Sequence, residues 1–329
     1  MADAVVTPGR YWLGGGRGLV VSRVSKTAVA PGILPSETLA HPCAAQRAEG
    51  MATPPPEPEG WQAELRLRFA RAEARTVLAA RRHHGPLQIQ RVFHPEQSGV
   101  CHAYILHPPG GVVAGDSLAI DVSMEEGAQT LLTTPAAGKF YRSMGQMACV
   151  RQNLTVAARA ELEWFPQENI VFQGARAAMS TRVDLAADGA FMGWEILCLG
   201  RPAAQEVFSA GECRQSFEIW RAGRPLWIER GHYRGGDPVL AAKWGMAACP
   251  VSASLVCVTR RPELIPPLRE LARAQDEESC SVTQLDEVIV ARYLGTHAET
   301  AKKYFVRIWE MLRPAVLGRA ACPPRIWNT

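Results

Sequence analysis

The sequence predicts a mainly β protein finished by about two C-terminal helices. Three observations carry that reading: short runs of alternating apolar residues, turn residues between the runs, and helical periodicity confined to the C-terminal end. Leu65, Leu67 and Phe69 point one way while Arg66 and Arg68 point the other. Leu118, Ile120, Val122 and Met124 alternate with Asp121 and Ser123, and Met179, Thr181, Val183 and Leu185 alternate with Arg182 and Asp184, so each run can bury one face and wet the other. Phe191 to Leu199 is apolar nearly throughout except for Glu195, which predicts a strand covered on both faces. Between the runs stand Pro108-Pro109-Gly110-Gly111, Glu126-Gly127, Asp188-Gly189, Ala222-Gly223 and Gly235-Gly236-Asp237-Pro238, all turn chemistry. Leu264, Leu268 and Leu271 around Pro266-Pro267 predict one helix. Tyr304, Phe305, Ile308, Trp309 and Leu312 predict a second, beginning after Thr296 and ending before Pro314.

Residues 1–59 show neither period, are rich in Gly, Pro and Ala, and end in TPPPEPEG, so they are expected to form a disordered extension before a single domain over 60–329. Met51, directly before the Pro-rich run, is a possible alternative start.

Composition narrows the function. The chain has 36 Lys and Arg against 32 Asp and Glu, a net charge of +4, and no basic cluster interleaved with aromatics, which argues against a nucleic-acid partner. No apolar run approaches the roughly 20 residues that span a bilayer, and glycines and Arg17 interrupt the only candidate for a secretory signal. The nine cysteines are scattered, odd in number and without a C-x-x-C pair, a set that reads as reduced thiols in a cytoplasm.

The motifs with apparent chemistry mostly fail their own tests. Gly110, Gly111 and Gly115 lack the dinucleotide-loop spacing and precede a strand, so they predict a tight turn capped by Asp116. Ala137-Gly138-Lys139 lacks both the first glycine and the magnesium-holding hydroxyl of a phosphate loop, because Thr133 and Phe140 stand at those positions. Any GTP chemistry must therefore come from another chain. Lys139, Tyr141, Arg142 and Ser143 are expected to form a polar loop, ordered by its own hydrogen bonds or presented to a partner. Glu168 lies between apolar runs and needs a partner if buried, for which Arg176, Arg182 and Arg201 are candidates. The eight histidines form no ligand motif, and beside the buried thiol of Cys101 the imidazole of His102 is expected at the surface. No G-x-S-x-G elbow is present, and Cys213 has no neighbouring His to activate it. Trp220, Trp227 and Trp244 are expected in the core, and Arg325-Ile326-Trp327 is expected to dock on the β body or on a partner.

HPPGGVVAGDSL (107–118), TTPAAGKFYRS (133–143), EWFPQENIVFQGA (163–175), GWEILCLGRPAAQEVFSAGE (193–212), EIWRAGRPLWIER (218–230) and the closing CPPRIWNT (322–329) together resemble the UreD (UreH) family of urease accessory proteins, in order from about residue 62 to the end. The resemblance implies a β-helical, stacked-sheet fold. It also implies a non-enzymatic urease maturation factor that works with apo-urease, a UreF-type protein and a UreG-type GTPase to deliver nickel, holding no tight cofactor itself and passing the metal in transit. On that reading Asp116 and Glu168 become candidate linings of a nickel passage, while Lys139, Tyr141, Arg142, Ser143, Arg325 and Trp327 are candidate partner or loop contacts. The alternatives are a β-helical carbohydrate-active enzyme using Glu168 or Asp116 with Lys139 or Arg142, and a structural adaptor with no metal path.

Overall fold

Leu65, Leu67 and Phe69 are all buried, and Arg66 and Arg68 exposed, in a computed structural model that describes residues 60–275 and 279–328. The extension expected over 1–59 and the possible start at Met51 lie outside the described residues. The opening hairpin pairs β1 (Gln62–Ala72) with β2 (Arg75–His84). The short β3 (Gln88–Ile89) then pairs with β4 (Cys101–Leu106).

From β4 the chain winds through about four stacked turns of a β-solenoid. The first turn passes to β5 (Ser117–Met124). The second runs β6 (Gln129–Thr133), β7 (Gly138–Phe140) and β8 (Ala148–Val156), and the third β9 (Glu161–Phe165), β10 (Asn169–Val171) and β11 (Arg176–Leu185). The fourth joins β12 (Ala190–Leu199) to β13 (Glu212–Arg221). Because each turn repeats the same path, β1, β5, β8, β11 and β13 stack in parallel in one sheet, and β4, β6, β9 and β12 in a second. A narrow third face forms where Val112 bridges Phe140, β7 pairs with β10, and β10 pairs with the end of β12.

The winding stops by reversing direction. β14 (Arg224–Arg234) closes the first sheet antiparallel to β13. After α1 (Pro238–Ala241), the second sheet is extended by β15 (Val251–Val258), with α2 (Ile265–Arg273) leading to β16 (Ser279–Leu285), β17 (Val288–Gly295) and α3 (Ala298–Leu317).

Two cores follow from this arrangement. Alternate residues of both sheets fill the solenoid, and the outer face of the second sheet carries Leu131, Phe165, Trp194 and Ile196 against Tyr304, Phe305, Ile308, Trp309 and Leu312 of α3. β12 lies under both, which is why Phe191 to Leu199 is buried at every position. Of the three tryptophans expected in the core, Trp227 is buried and Trp244 is exposed.

Two local expectations are corrected. α3 continues through Pro314 to Leu317, because a proline near the end forfeits a single backbone bond while Leu312 and Arg313 stay buried, and Gly318 (φ 67°) supplies the left-handed cap whose N–H reaches the Pro314 carbonyl. Gly235 to Pro238 is more than a turn: Asp237 accepts the Val239 N–H at 2.9 Å and Pro238 starts α1. Cys101, Cys198, Cys213 and Cys257 are buried free thiols. No helix among the described residues is long and apolar enough to cross a membrane.

Candidate functional site

The sequence motifs singled out separately fall on one corner of the solenoid. Val112, Phe140, Val171 and Leu199 occupy equivalent positions in successive turns, each buried and bonded to the next. One residue further along, Val113, Tyr141 and Phe172 form the outward side of that corner. The Tyr141 and Phe172 rings meet edge to face at 4.9 Å, and the Arg201 guanidinium lies 4.5 Å above Phe172. The Tyr141 ring seats directly on Gly111, where a Cβ would stand 2.1 Å from it and displace the ring from this position.

Asp116 caps this corner as expected: its two carboxylate oxygens accept the N–H groups of Trp61 at 2.8 Å and Val113 at 2.9 Å, and its side chain is buried. Nearby, burial lowers the pKa of His107, opposed by the Asp116 charge. Lys139 does not lie in a loop. It sits within β7, because the flanking Gly138 and Phe140 are drawn into pairing with β10. Tyr141, Arg142 and Ser143 follow the strand, with the Ser143 hydroxyl donating to the Gln146 carbonyl at 2.5 Å and its N–H to the Gly174 carbonyl at 3.0 Å.

None of the three arginines considered for Glu168 reaches it. Arg176 pairs with Glu212, Arg182 with Asp184 and Arg201 with Glu206, each within 3.1 Å. A carboxylate two to five residues away, or on the next turn of the coil, wins over one that no strand register brings near. Half-buried Glu168 instead acts on Lys302 of α3: burial lowers the Lys302 pKa and the Glu168 charge opposes it. Burial pushes the Cys198 thiol up to about 12, with Glu168 adding to the effect.

The C-terminal residues dock on their own chain. Trp327 lies among Phe165, Trp194 and Trp309, with ring centroids 6.2, 5.5 and 5.7 Å away, and its indole N–H donates to Thr133 Oγ1 at 2.9 Å. Lys302 Nζ stands 5.3 Å from the same ring. Arg325 is exposed in the terminal 3₁₀ turn.

Beneath that tail is a charged cluster that sequence reasoning missed. Arg313, fully buried, donates from Nε and one terminal nitrogen to Glu163 at 2.9–3.1 Å, and from both terminal nitrogens to Glu96 at 2.6 and 2.9 Å. Trp309 adds its indole N–H to Glu163 at 2.7 Å, and Arg319 pairs with Glu161. His102 is also buried, contrary to the surface position expected, because β4 turns it toward the helical layer while Cys101 faces the solenoid core. Its Nε2 meets Glu96 Oε1 at 2.7 Å. Burial alone would raise the Glu96 carboxyl, yet the hydrogen bonds from His102 and Arg313 outweigh it and hold the group at about 2. Donor atoms of Glu96, His102 and Cys322 lie within 4.8 Å of one another, the one grouping of metal-ligand type among the described residues. Both Glu96 oxygens are already engaged by Arg313, so a cation could enter only by displacing a guanidinium. The cluster is an ion-pair network that fastens α3 to the second sheet.

A different polar group lies inside the solenoid. Glu195 interrupts the apolar run of β12 and faces the first sheet, where it accepts hydrogen bonds from the Thr181 hydroxyl and, at 2.5 Å, from the Gln215 amide. Burial lifts its carboxyl to about 7, these two bonds restrain the rise, and the charge of Glu229 adds to it. Glu229 in turn pairs with Arg292 of β17 at 2.5 Å. The lone acidic letter in an otherwise apolar strand was the available signal.

These features define a parallel β-solenoid roofed by helices, a class whose stacked turns present long continuous surfaces. The family described as UreD urease accessory protein matches residues 62–328. The chain is 47% identical over 280 residues to urease accessory protein UreD of Dechloromonas aromatica (strain RCB), covering 84% of this chain and 97% of that protein. It is 46% identical over 272 residues to the protein of the same name from Azoarcus sp. (strain BH72), covering 82% and 95% respectively. The chain belongs to the UreD family of urease accessory proteins.

Proposed function

We propose that this chain acts in the cytoplasm as a non-catalytic scaffold of urease maturation, binding apo-urease together with a UreF-type protein and a UreG-type GTPase while nickel passes as cargo by way of the few polar groups enclosed in its apolar interior. GTP chemistry resides on the partner. The observation that supports the reading is Glu195: a carboxylate between two sheets, hydrogen-bonded to neutral groups and with no cation paired to it among the described residues. Held at about 7, it exchanges a proton readily near neutral pH, and carboxylate with neutral oxygen donors makes a weak, exchangeable ligand set suited to transit. Asp116 and Glu168 extend this route in the same reading, Asp116 with a structural duty as well.

The test activates urease with wild-type chain and with Glu195→Gln, Asp116→Ala and Glu168→Ala, measuring complex assembly by pull-down and nickel content of the urease by mass spectrometry. Normal assembly with reduced nickel is expected for Glu195→Gln. Full nickel loading in all three variants would remove the transit role, and failure of the wild-type chain to associate with apo-urease in any combination of helpers would remove the scaffold role.

A further inference from the structure

We propose that the outward corner of the solenoid, centred on Tyr141 and Phe172, is a docking surface for a folded protein whose contact face is apolar at its centre and acidic at its rim. Eight large hydrophobic side chains are exposed among the described residues, and four of them line this corner: Val113 at 47%, Tyr141 at 36%, Met144 at 92% and Val207 at 73%. Tyr141 is linked toward Val207 by its contact with Phe172 and by the Arg201 guanidinium over Phe172, whose partner Glu206 directly precedes Val207, while Val113 stands one residue beyond the Val112 bridge to Phe140 and Met144 three residues after Tyr141. Scattered exposed apolar residues need no explanation, but a contiguous strip of this kind marks a contact surface.

The strip is also rigid in advance of binding. Gly111 admits the Tyr141 ring, Ser143 secures its own loop through Gln146, and Gln173 is held by Glu206 and Ser209. Less backbone freedom is therefore left to be lost on association. Strand addition is not the mode of contact, since β10 is already paired on both sides, with β7 and with β12.

Charge selects the occupant. Of the carboxylates nearby, Glu206 is satisfied by Arg201, Glu212 by Arg176 and Asp116 by backbone N–H groups, while half-buried Glu168 acts on Lys302 of α3. Lys139 and Arg142 have no ion-pair partner among the described residues, so the unspent charge on the corner is positive. A second copy of this chain would present the same two cations and be repelled, while a polyanion such as nucleic acid would find only two free cations around an apolar centre. An apolar face ringed by Asp and Glu answers both features.

This inference rests on the functional reading above, which supplies the probe, purified apo-urease with and without the other accessory proteins. Binding is measured by interferometry for the wild type, Met144→Asp/Val207→Asp, Arg142→Glu, and Leu285→Asp as an exposed apolar control on β16. The double variant is expected to weaken binding about 100-fold and Arg142→Glu about 10-fold, the latter more strongly at low salt, with Leu285→Asp unchanged. These side chains are exposed, so circular dichroism and melting temperature should match the wild type. Wild-type affinity in the double variant would overturn the docking surface while leaving the functional reading intact, as would a change in self-association by sedimentation with urease binding preserved. No binding by the wild type under any combination would overturn both.

Discussion

Replacing Arg313 by Met tests how much the buried ion-pair network contributes. The substitution keeps most of the side-chain volume and removes five hydrogen bonds to Glu96 and Glu163, of which Glu163 is fully buried. Two carboxylates are then left facing each other with Trp309, His102 and Arg319 as remaining partners. Stranding a buried charge in this way costs about 3–5 kcal/mol. The Glu96 carboxyl points the same way: hydrogen bonds from His102 and Arg313 hold it at about 2 against an ordinary 4.5, and the variant loses the Arg313 share of that depression. The direction with pH is fixed, because a depressed carboxyl stabilises the fold above 4.5 and loses that contribution as pH falls toward 2. Urea unfolding followed by tryptophan fluorescence should therefore show Arg313→Met less stable by about 3–5 kcal/mol at pH 7, with the gap closing between pH 4.5 and 2. A gap below about 1 kcal/mol at pH 7, or one that does not change on acidification, would refute the network's role.

Two further outcomes follow from the same physics. Trp327→Ala removes an indole held by three aromatic rings and by Thr133, and should lower stability by about 2–4 kcal/mol while exposing residues 319–328 to limited proteolysis. Glu195→Gln should flatten the pH dependence of stability: a carboxyl raised to about 7 favours the fold below pH 4.5 and loses that benefit as pH rises through 7, so melting curves should show the variant gaining up to about 3 kcal/mol on the wild type between pH 4.5 and 7.5.

The strands were legible where one face meets water. Leu65 to Phe69 and Leu118 to Met124 alternate cleanly, and Glu126-Gly127, Asp188-Gly189 and Ala222-Gly223 fall where the chain turns between strands. The sheet partners were not legible from alternation, because consecutive strands of a solenoid lie in different sheets and each pairs with a strand one full turn away. The β-helical form came from the family resemblance, not from period two. Glu168 shows why site reasoning stops short: three arginines were close enough in sequence, but register gave each another carboxylate and brought Lys302 from α3 instead. Arg313 and Glu96 are separated by 217 residues, and nothing local in either segment announces the other. The corner was half legible. Each motif could be marked as a loop with unusual glycines, yet only winding places Val112, Phe140, Val171 and Leu199 at the same phase.

The distance along the chain between Glu163 and Arg313 also bears on how the protein is made. The two are 150 residues apart, so at a synthesis rate of roughly 5–20 residues per second the third coil emerges from the ribosome about 8–30 s before the arginine that neutralises it. Throughout that interval the carboxylate, the indole-binding groove and the apolar outer sheet stand open to water. A nascent solenoid can stack its turns one by one, but its roof arrives only at the close of translation. Until then the growing chain exposes the apolar outer face of the second sheet, and a stop before residue 313 leaves Glu163 without its guanidinium partner.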